Sequence, residues 1–154
     1  MDITIEDCPV HRVAAQPHQG PYQTIATAFA KLIAIAGAAG LMSDPQVRTV
    51  GIYRDDPRYV PIPRLRCAAG VIVSPDAVIP PSLMEIVLPA GRWASTVHQG
   101  PYAGLADTWD RVINHWLPDS GHRMAPTDFY EMYLNRPDEV PAEQLRTRLY
   151  VMLQ

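Results

Sequence analysis

His18-Gln19-Gly20-Pro21-Tyr22 recurs as His98-Gln99-Gly100-Pro101-Tyr102, and the offset of 80 residues that relates the two copies also aligns what surrounds them. Without a gap, Arg12 falls on Arg92, Ala14 on Ala94, Phe29 on Trp109, Ile33 on Ile113, Tyr53 on Tyr133 and Pro57 on Pro137. Val60-Pro61 falls on Val140-Pro141, Leu65-Arg66 on Leu145-Arg146, and Val71 on Val151. The chain is one folding unit written twice. Two copies of so long a period are too few for a solenoid, which needs about three stacked repeats. They suit two halves that close on one another about a pseudo-two-fold axis, and a groove at that junction is the expected place for a ligand.

Length and composition agree with one compact domain over residues 1–154, divided into pseudo-repeats 1–74 and 83–154 with a linker at 75–82. The chain is 47% hydrophobic and 19% charged, as an ordinary soluble globule is. A net charge of −3 and a pI near 5.9 leave no basic footprint, so direct nucleic-acid binding is not expected. Cys8 and Cys67 lie far apart and outside any Cys-x-x-Cys or Cys/His spacing, which points to reduced thiols and a cytoplasmic setting. The N-terminal Met1-Asp2-Ile3-Thr4-Ile5-Glu6-Asp7 carries acids where a secretory signal carries Lys or Arg. The most apolar stretch, Ile25 to Met42, holds Lys31 in its middle and reads as a core helix, so no membrane association is expected.

Each repeat reads as strand, helix, strand, strand, a βαββ unit of the α+β class. Gly-Pro-Tyr marks both helix starts, because proline near the first helical position has a suitable φ and lacks only an N–H that would go unpaired. Ile25, Phe29, Leu32, Ile33 and Ala36 predict one helix face, and Leu105, Trp109, Val112, Ile113 and Trp116 the other. Gly37 and Gly40 should end the first helix, and Pro118 with Asp119-Ser120-Gly121 the second. First strands are expected over Thr4 to Ala15 and Leu83 to Val97, middle strands over Val47 to Arg54 and Thr127 to Asn135, and last strands over Leu65 to Val73 and Leu145 to Leu153.

Alternation in Phe129-Tyr130-Glu131-Met132-Tyr133-Leu134 supplies the sharpest pointer to a site. Val50 and Ile52 make their face the apolar one, so that face is expected under the helices, with Phe129, Glu131 and Tyr133 turned toward the groove. Thr49, Gly51 and Tyr53 would face them from the other repeat. Gly51 matches Glu131, and a glycine inside a strand is tolerated where another group comes close. An enclosed Glu131 beside Tyr53, Tyr133 and Trp93 would carry a raised pKa or seek a cationic partner. The competing reading places Glu131 at a sheet edge, paired with Arg66 or Arg146.

Other chemistry is thin. His18 and His98, kept in both copies, are expected to do the same structural job twice at a strand end or helix start. His11, His115 and His122 have no metal-ligand spacing, so neither metal nor cofactor is expected. No nucleophile elbow, dinucleotide fingerprint or P-loop occurs. Arg66 and Arg146 are expected in cross-strand pairs near the surface, and Asp55-Asp56 and Asp138-Glu139 as solvated loop charges.

Tyr130-Glu131-Met132-Tyr133-Leu134-Asn135 resembles the Glu-x-Tyr-Leu-Asn strand of the GyrI-like small-molecule-binding domains. The companion signals also match: the two His-Gln-Gly-Pro-Tyr motifs, Gly51 to Pro57, Arg64-Leu65-Arg66-Cys67, and Gly91-Arg92-Trp93-Ala94. The resemblance covers essentially the whole chain. It implies a duplicated βαββ fold with a curved, barrel-like antiparallel sheet, two helices and a central groove, used as the effector-binding module of MerR- and AraC-type multidrug regulators or standing alone in proteins similar to the bacterial gyrase inhibitor. The family's carboxylate carries over to Glu131, with Tyr133 and Trp93 as aromatic neighbours. The chain departs from the family after Arg66, where Ala68 and Gly70 replace the usual acid and Cys.

Three functional classes follow from that resemblance. The first is a stand-alone binder of small amphipathic or cationic molecules at Glu131, Tyr133, Tyr53, Gly51, Trp93 and Phe129, aromatic walls favouring cations by up to about 2 kcal/mol when desolvated. The second is a hydrolase of cyclopropanoid or other strained genotoxins, with Glu131 as general base and Tyr133 as proton donor. The third is a protein partner of a regulator or of DNA gyrase.

Overall fold

The computed structural model describes all 154 residues. The first copy runs β1 (Thr4–Cys8), β2 (His11–Gln19), α1 (Ala26–Ala38), β3 (Thr49–Tyr53) and β4 (Arg66–Val73). The second runs β5 (Met84–Leu88), β6 (Gly91–Gln99), a helix in three parts, β7 (Phe129–Tyr133) and β8 (Arg146–Met152). Those three parts are α2 (Leu105–Asp110), a π-helical stretch (Arg111–Trp116) and α3 (Leu117–Ser120). The bounds of β1, β2 and β3 return 80 residues later in β5, β6 and β7, so the duplication seen in the sequence is reproduced element by element. Neither helix is long and apolar enough to cross a membrane.

Each expected first strand is two strands. The breaks fall at Pro9 and Pro89, again 80 apart, where proline offers no N–H to a ladder. The breaks also set the boundaries of two compact units: Pro9–Ala90 forms one, and Met1–Cys8 with Gly91–Gln154 forms the other. Each unit therefore takes its outermost strand from the opposite repeat. In the first unit β2 pairs antiparallel with both β5 and β4, and β4 with β3. In the second, β6 pairs antiparallel with β1 and β8, and β8 with β7.

In the unit formed by residues 9–90, α1 lies on Ala14, Ala69, Val71 and Leu83 through Ala28, Leu32 and Ala36. Small residues on both sides let the helix approach closely. The buried stripe is the i, i+4, i+8 row, with Ile25, Phe29 and Ile35 on its flanks, whereas Ile33 is 53% exposed. Gly40 ends the helix at φ +77°, with Leu41 N–H donating to Ala36 carbonyl at 2.9 Å and Gly40 N–H to Gly37 carbonyl at 3.2 Å. That is a Schellman ending, so Gly37 is not the terminator: it stays within α1.

Pro118 does not end the second helix, which continues to Ser120 and stops at Gly121, φ +78°. A proline inside a helix lacks a donor and pushes against the carbonyl four residues back. The π-helical stretch ahead of it widens the turn there, and α1, which carries no internal proline, stays α-helical throughout.

The helices pack on the opposite sheet face from the one expected. Thr49 and Gly51 stand opposite Val71 and Ala69, which touch α1, so Thr49, Gly51 and Tyr53 share the helix side. Val50, with Val13 and Gly70, lies on the far side, where a Cβ built on Gly70 would come within 2.3 Å of Val13 Cγ1. The 80-residue counterparts of Val13, Val50 and Gly70 are Trp93, Tyr130 and Tyr150, which form an aromatic triad. Tyr130 stacks on Tyr150 at 4.5 Å and Trp93 meets Tyr130 edge-on at 5.2 Å. Both faces are thus buried at mid-strand, Val50 at 0% and Tyr130 at 1% exposure, and apolar alternation could not say which face takes the helix.

Asp55 is not a solvated loop charge. It is 7% exposed and accepts from Arg66 Nε at 2.9 Å, Nη2 at 2.7 Å and the Arg66 backbone N–H at 2.9 Å. Arg66 thereby holds the Asp55 carboxyl below its ordinary value against the opposing effect of burial. The counterpart of Asp55 is Asn135, whose Oδ1 accepts the Arg146 backbone N–H at 2.9 Å. The backbone bond is kept in both copies and the ion pair in one.

Candidate functional site

In both units the tyrosine of Gly-Pro-Tyr meets the middle-strand tyrosine edge-on: Tyr22 and Tyr53 at 4.8 Å, Tyr102 and Tyr133 at 5.6 Å. Both histidines of the motif tie the strand end to the helix, His18 Nε2 to Thr24 Oγ1 at 2.7 Å and His98 Nδ1 to Thr108 Oγ1 at 2.8 Å. The partners differ because the residue matching Thr24 is Gly104, where a Cβ would lie 2.9 Å from His98 Cε1. The repeated motif thus does repeated structural work.

The chemistry lies where the copies diverge. Glu131, matched by Gly51, sits on the helix side of β7 opposite Leu149 and is 3% exposed. The indole N–H of Trp109, matched by Phe29, donates to its Oε1 at 2.6 Å, and the hydroxyl of Tyr133 donates to Oε2 at 2.9 Å. Phe129 packs edge-on against Trp109 at 5.0 Å. Burial pushes the Tyr102 phenol up and the Glu131 charge adds to it, as follows from a phenol close to a buried carboxylate. The result is a carboxylate with both oxygens oriented by aromatic donors and ringed by Tyr102, Trp109, Phe129 and Tyr133. Such an arrangement can hold a fixed negative charge against an apolar, cation-favouring wall.

The structure brings Glu131, Tyr133 and Phe129 together, as the sequence suggests. Glu131 stands opposite Leu149 and is buried, with its two oxygens held by Trp109 and Tyr133. Trp93 stands apart, because it shares the far face with Tyr130 and Tyr150. Tyr53, 7% exposed, and Gly51 occupy the equivalent strand of the 9–90 unit, with Tyr53 against Tyr22 and Gly51 opposite Ala69. Trp109 and Tyr102 are the residues the sequence reading left out of the site. A signal for Trp109 existed: Gly51/Phe29 and Glu131/Trp109 change together between the copies, as expected for a donor and acceptor that need each other. A separate polar cleft of about 630 Å³ lies at the start of the second helix, lined by Thr96, His98, Gln99, Thr108 and Arg111 among others, and does not include Glu131.

The protein is thus a duplicated antiparallel fold that carries one buried, aromatic-walled carboxylate in its second copy. The chain belongs to the GyrI-like family, whose profile, described as a GyrI-like small molecule binding domain, matches residues 1–154. It is 31% identical over 156 residues to the probable transcriptional regulator YgiV of Escherichia coli (strain K12), covering 99% of this chain and 96% of that one. It is 25% identical over 139 residues to the DNA gyrase inhibitor of Salmonella typhimurium, covering 88% of each. Among solved structures, the EcmrR C-terminal domain superposes with a TM-score of 0.77 at 16% identity, covering 99% of this chain and 97% of that domain. SAV2435, solved bound to tetraphenylphosphonium, superposes at 0.70 with 12% identity, covering 100% and 94%.

Proposed function

We propose that the chain captures small amphipathic cations at Glu131, as a sensor or sequestering protein. The observation that carries this reading is the pair of hydrogen bonds from Trp109 and Tyr133 that fix a 3%-exposed carboxylate among aromatic rings. A carboxylate so buried favours a ligand that brings a positive charge, and the rings take up the ligand's apolar body. The lipophilic cation bound to SAV2435, a protein of the same fold, supports this choice of ligand class. Titration of wild type and Glu131→Gln with tetraphenylphosphonium and with neutral triphenylphosphine oxide tests it. Removing one partner of a desolvated charge pair costs about 2–5 kcal/mol, so the cation should weaken by at least about thirtyfold while the neutral compound is spared. Equal loss for both compounds, or no loss for either, would reject a counter-charge role.

The 2.9 Å bond between Tyr133 and Glu131 also favours a second reading, hydrolysis of a strained electrophile with Glu131 as general base and Tyr133 as proton donor. The same Glu131→Gln variant separates the two, since a lost base abolishes turnover and leaves substrate binding nearly intact.

A further inference from the structure

One buried side-chain atom of the Glu131 unit has no hydrogen-bond partner within the fold: Thr147 Oγ1, in a residue that is 0% exposed. Thr147 stands directly opposite Tyr133 on β7 and His98 on β6. It therefore shares the helix side with Glu131, one step along the ladder. Neither neighbour turns its polar atoms to it: the Tyr133 hydroxyl donates to Glu131, and the His98 ring nitrogens engage Thr108 Oγ1 and the Pro101 carbonyl. Burying a hydroxyl without a partner is penalised, and a valine in its place would have the same shape without the penalty. The counterpart of Thr147 is Cys67, a weak hydrogen-bonding group, so hydroxyl, carboxylate and indole all belong to this copy alone.

We propose that Thr147 is a ligand-recognition residue whose hydroxyl accepts an N–H of a protonated amine while the amine's charge faces Glu131. The site then selects primary and secondary ammonium groups, which have an N–H for each of Thr147 and Glu131, over quaternary ammonium and phosphonium ions. The inference rests on the cation-binding reading of Glu131. Diagonal cross-strand neighbours such as Glu131 and Thr147 stand about 7–8 Å apart at the backbone, with both side chains on one face, and an ammonium nitrogen that donates to both at about 2.9 Å spans about 5.8 Å between their polar atoms. A quaternary ion presents no donor and leaves the hydroxyl unmatched. A site built to hydrogen-bond a group discriminates strongly against the analogue that lacks it.

The test is calorimetric titration of the whole chain at pH 7 with N-methyl-1-naphthylmethylamine and with the quaternary N,N,N-trimethyl-1-naphthylmethylammonium salt. Wild type should bind the secondary amine about tenfold more tightly or better. Thr147→Val should bring the amine down to the affinity of the quaternary salt, leave the salt unchanged, and fold without loss of stability. Thr147→Ser should keep the preference. No preference in wild type, or a preference that survives in Thr147→Val, overturns the assignment of Thr147. Glu131→Gln separates the two readings: if it weakens both probes while Thr147→Val moves neither, the selectivity claim alone fails, and if it moves neither probe, the cation reading fails with it.

Discussion

Trp109→Phe places in the second helix the residue that the first copy carries at Phe29. The substitution keeps a ring to face Phe129, now 5.0 Å from the indole, and removes the N–H that donates to Glu131 Oε1 at 2.6 Å. Because Glu131 is 3% exposed, water does not replace that donor freely. A hydrogen bond to a charged acceptor contributes about 1.5–3 kcal/mol, which for a chain of this size lowers the thermal midpoint by roughly 3–12 °C. Urea unfolding at pH 7, read by far-ultraviolet circular dichroism, measures the loss directly. Packing can be separated from hydrogen bonding by a cycle with Glu131→Gln, whose neutral carbonyl accepts the same bond more weakly. In that background Trp109→Phe should cost about 1 kcal/mol less. A loss equal in the two backgrounds, or one below about 0.5 kcal/mol in the wild-type background, refutes the claim that the indole orients the carboxylate.

Two glycines should respond oppositely to alanine. Gly70→Ala drives a Cβ to 2.3 Å from Val13 Cγ1 and 3.2 Å from Val50 Cγ2, both on buried valines, and should destabilise by about 1–3 kcal/mol in urea unfolding. Gly37→Ala, within α1 and with nothing inside 4 Å, should stabilise by about 0.5–1 kcal/mol in the same assay. Asp55 predicts a pH dependence. Its carboxyl is more acidic folded than its ordinary value of 3.8, so the Arg66 pair stabilises the fold above about pH 4 and that contribution fades as pH falls below the ordinary value. Unfolding stability measured from pH 6 down to pH 2 should therefore drop more steeply for wild type than for Asp55→Asn, which copies Asn135 of the other repeat. Parallel curves would remove the pair from the acid response.

The duplication, the class of each element and the singularity of Glu131, which its matching position lacks, were legible in the sequence because each can be read from pattern alone. A gap-free offset, a Gly-Pro-Tyr helix start and a lone carboxylate in an aromatic strand need no knowledge of neighbours. The breaks at Pro9 and Pro89 were not read, although both prolines obey the offset and neither has an N–H to give to a ladder. Asp55 was misread because its partner, Arg66, is brought to it by the turn between β3 and β4, so its charge is neutralised by geometry and not by an adjacent residue.

By itself the sequence determined that one unit is written twice, that the copies share their scaffold, and that they differ at Gly51/Glu131 and Phe29/Trp109. Only tertiary structure decided which sheet face receives the helix, and with it that Trp109 joins Glu131 while Trp93 belongs to the far-side triad with Tyr130 and Tyr150. Alternation along a strand assigns residues to two sides but does not name the sides. When both are buried, the choice falls to packing between segments distant in the chain, here of Ala28, Leu32 and Ala36 of α1 on Ala14, Ala69, Val71 and Leu83, which alternation along one strand does not encode.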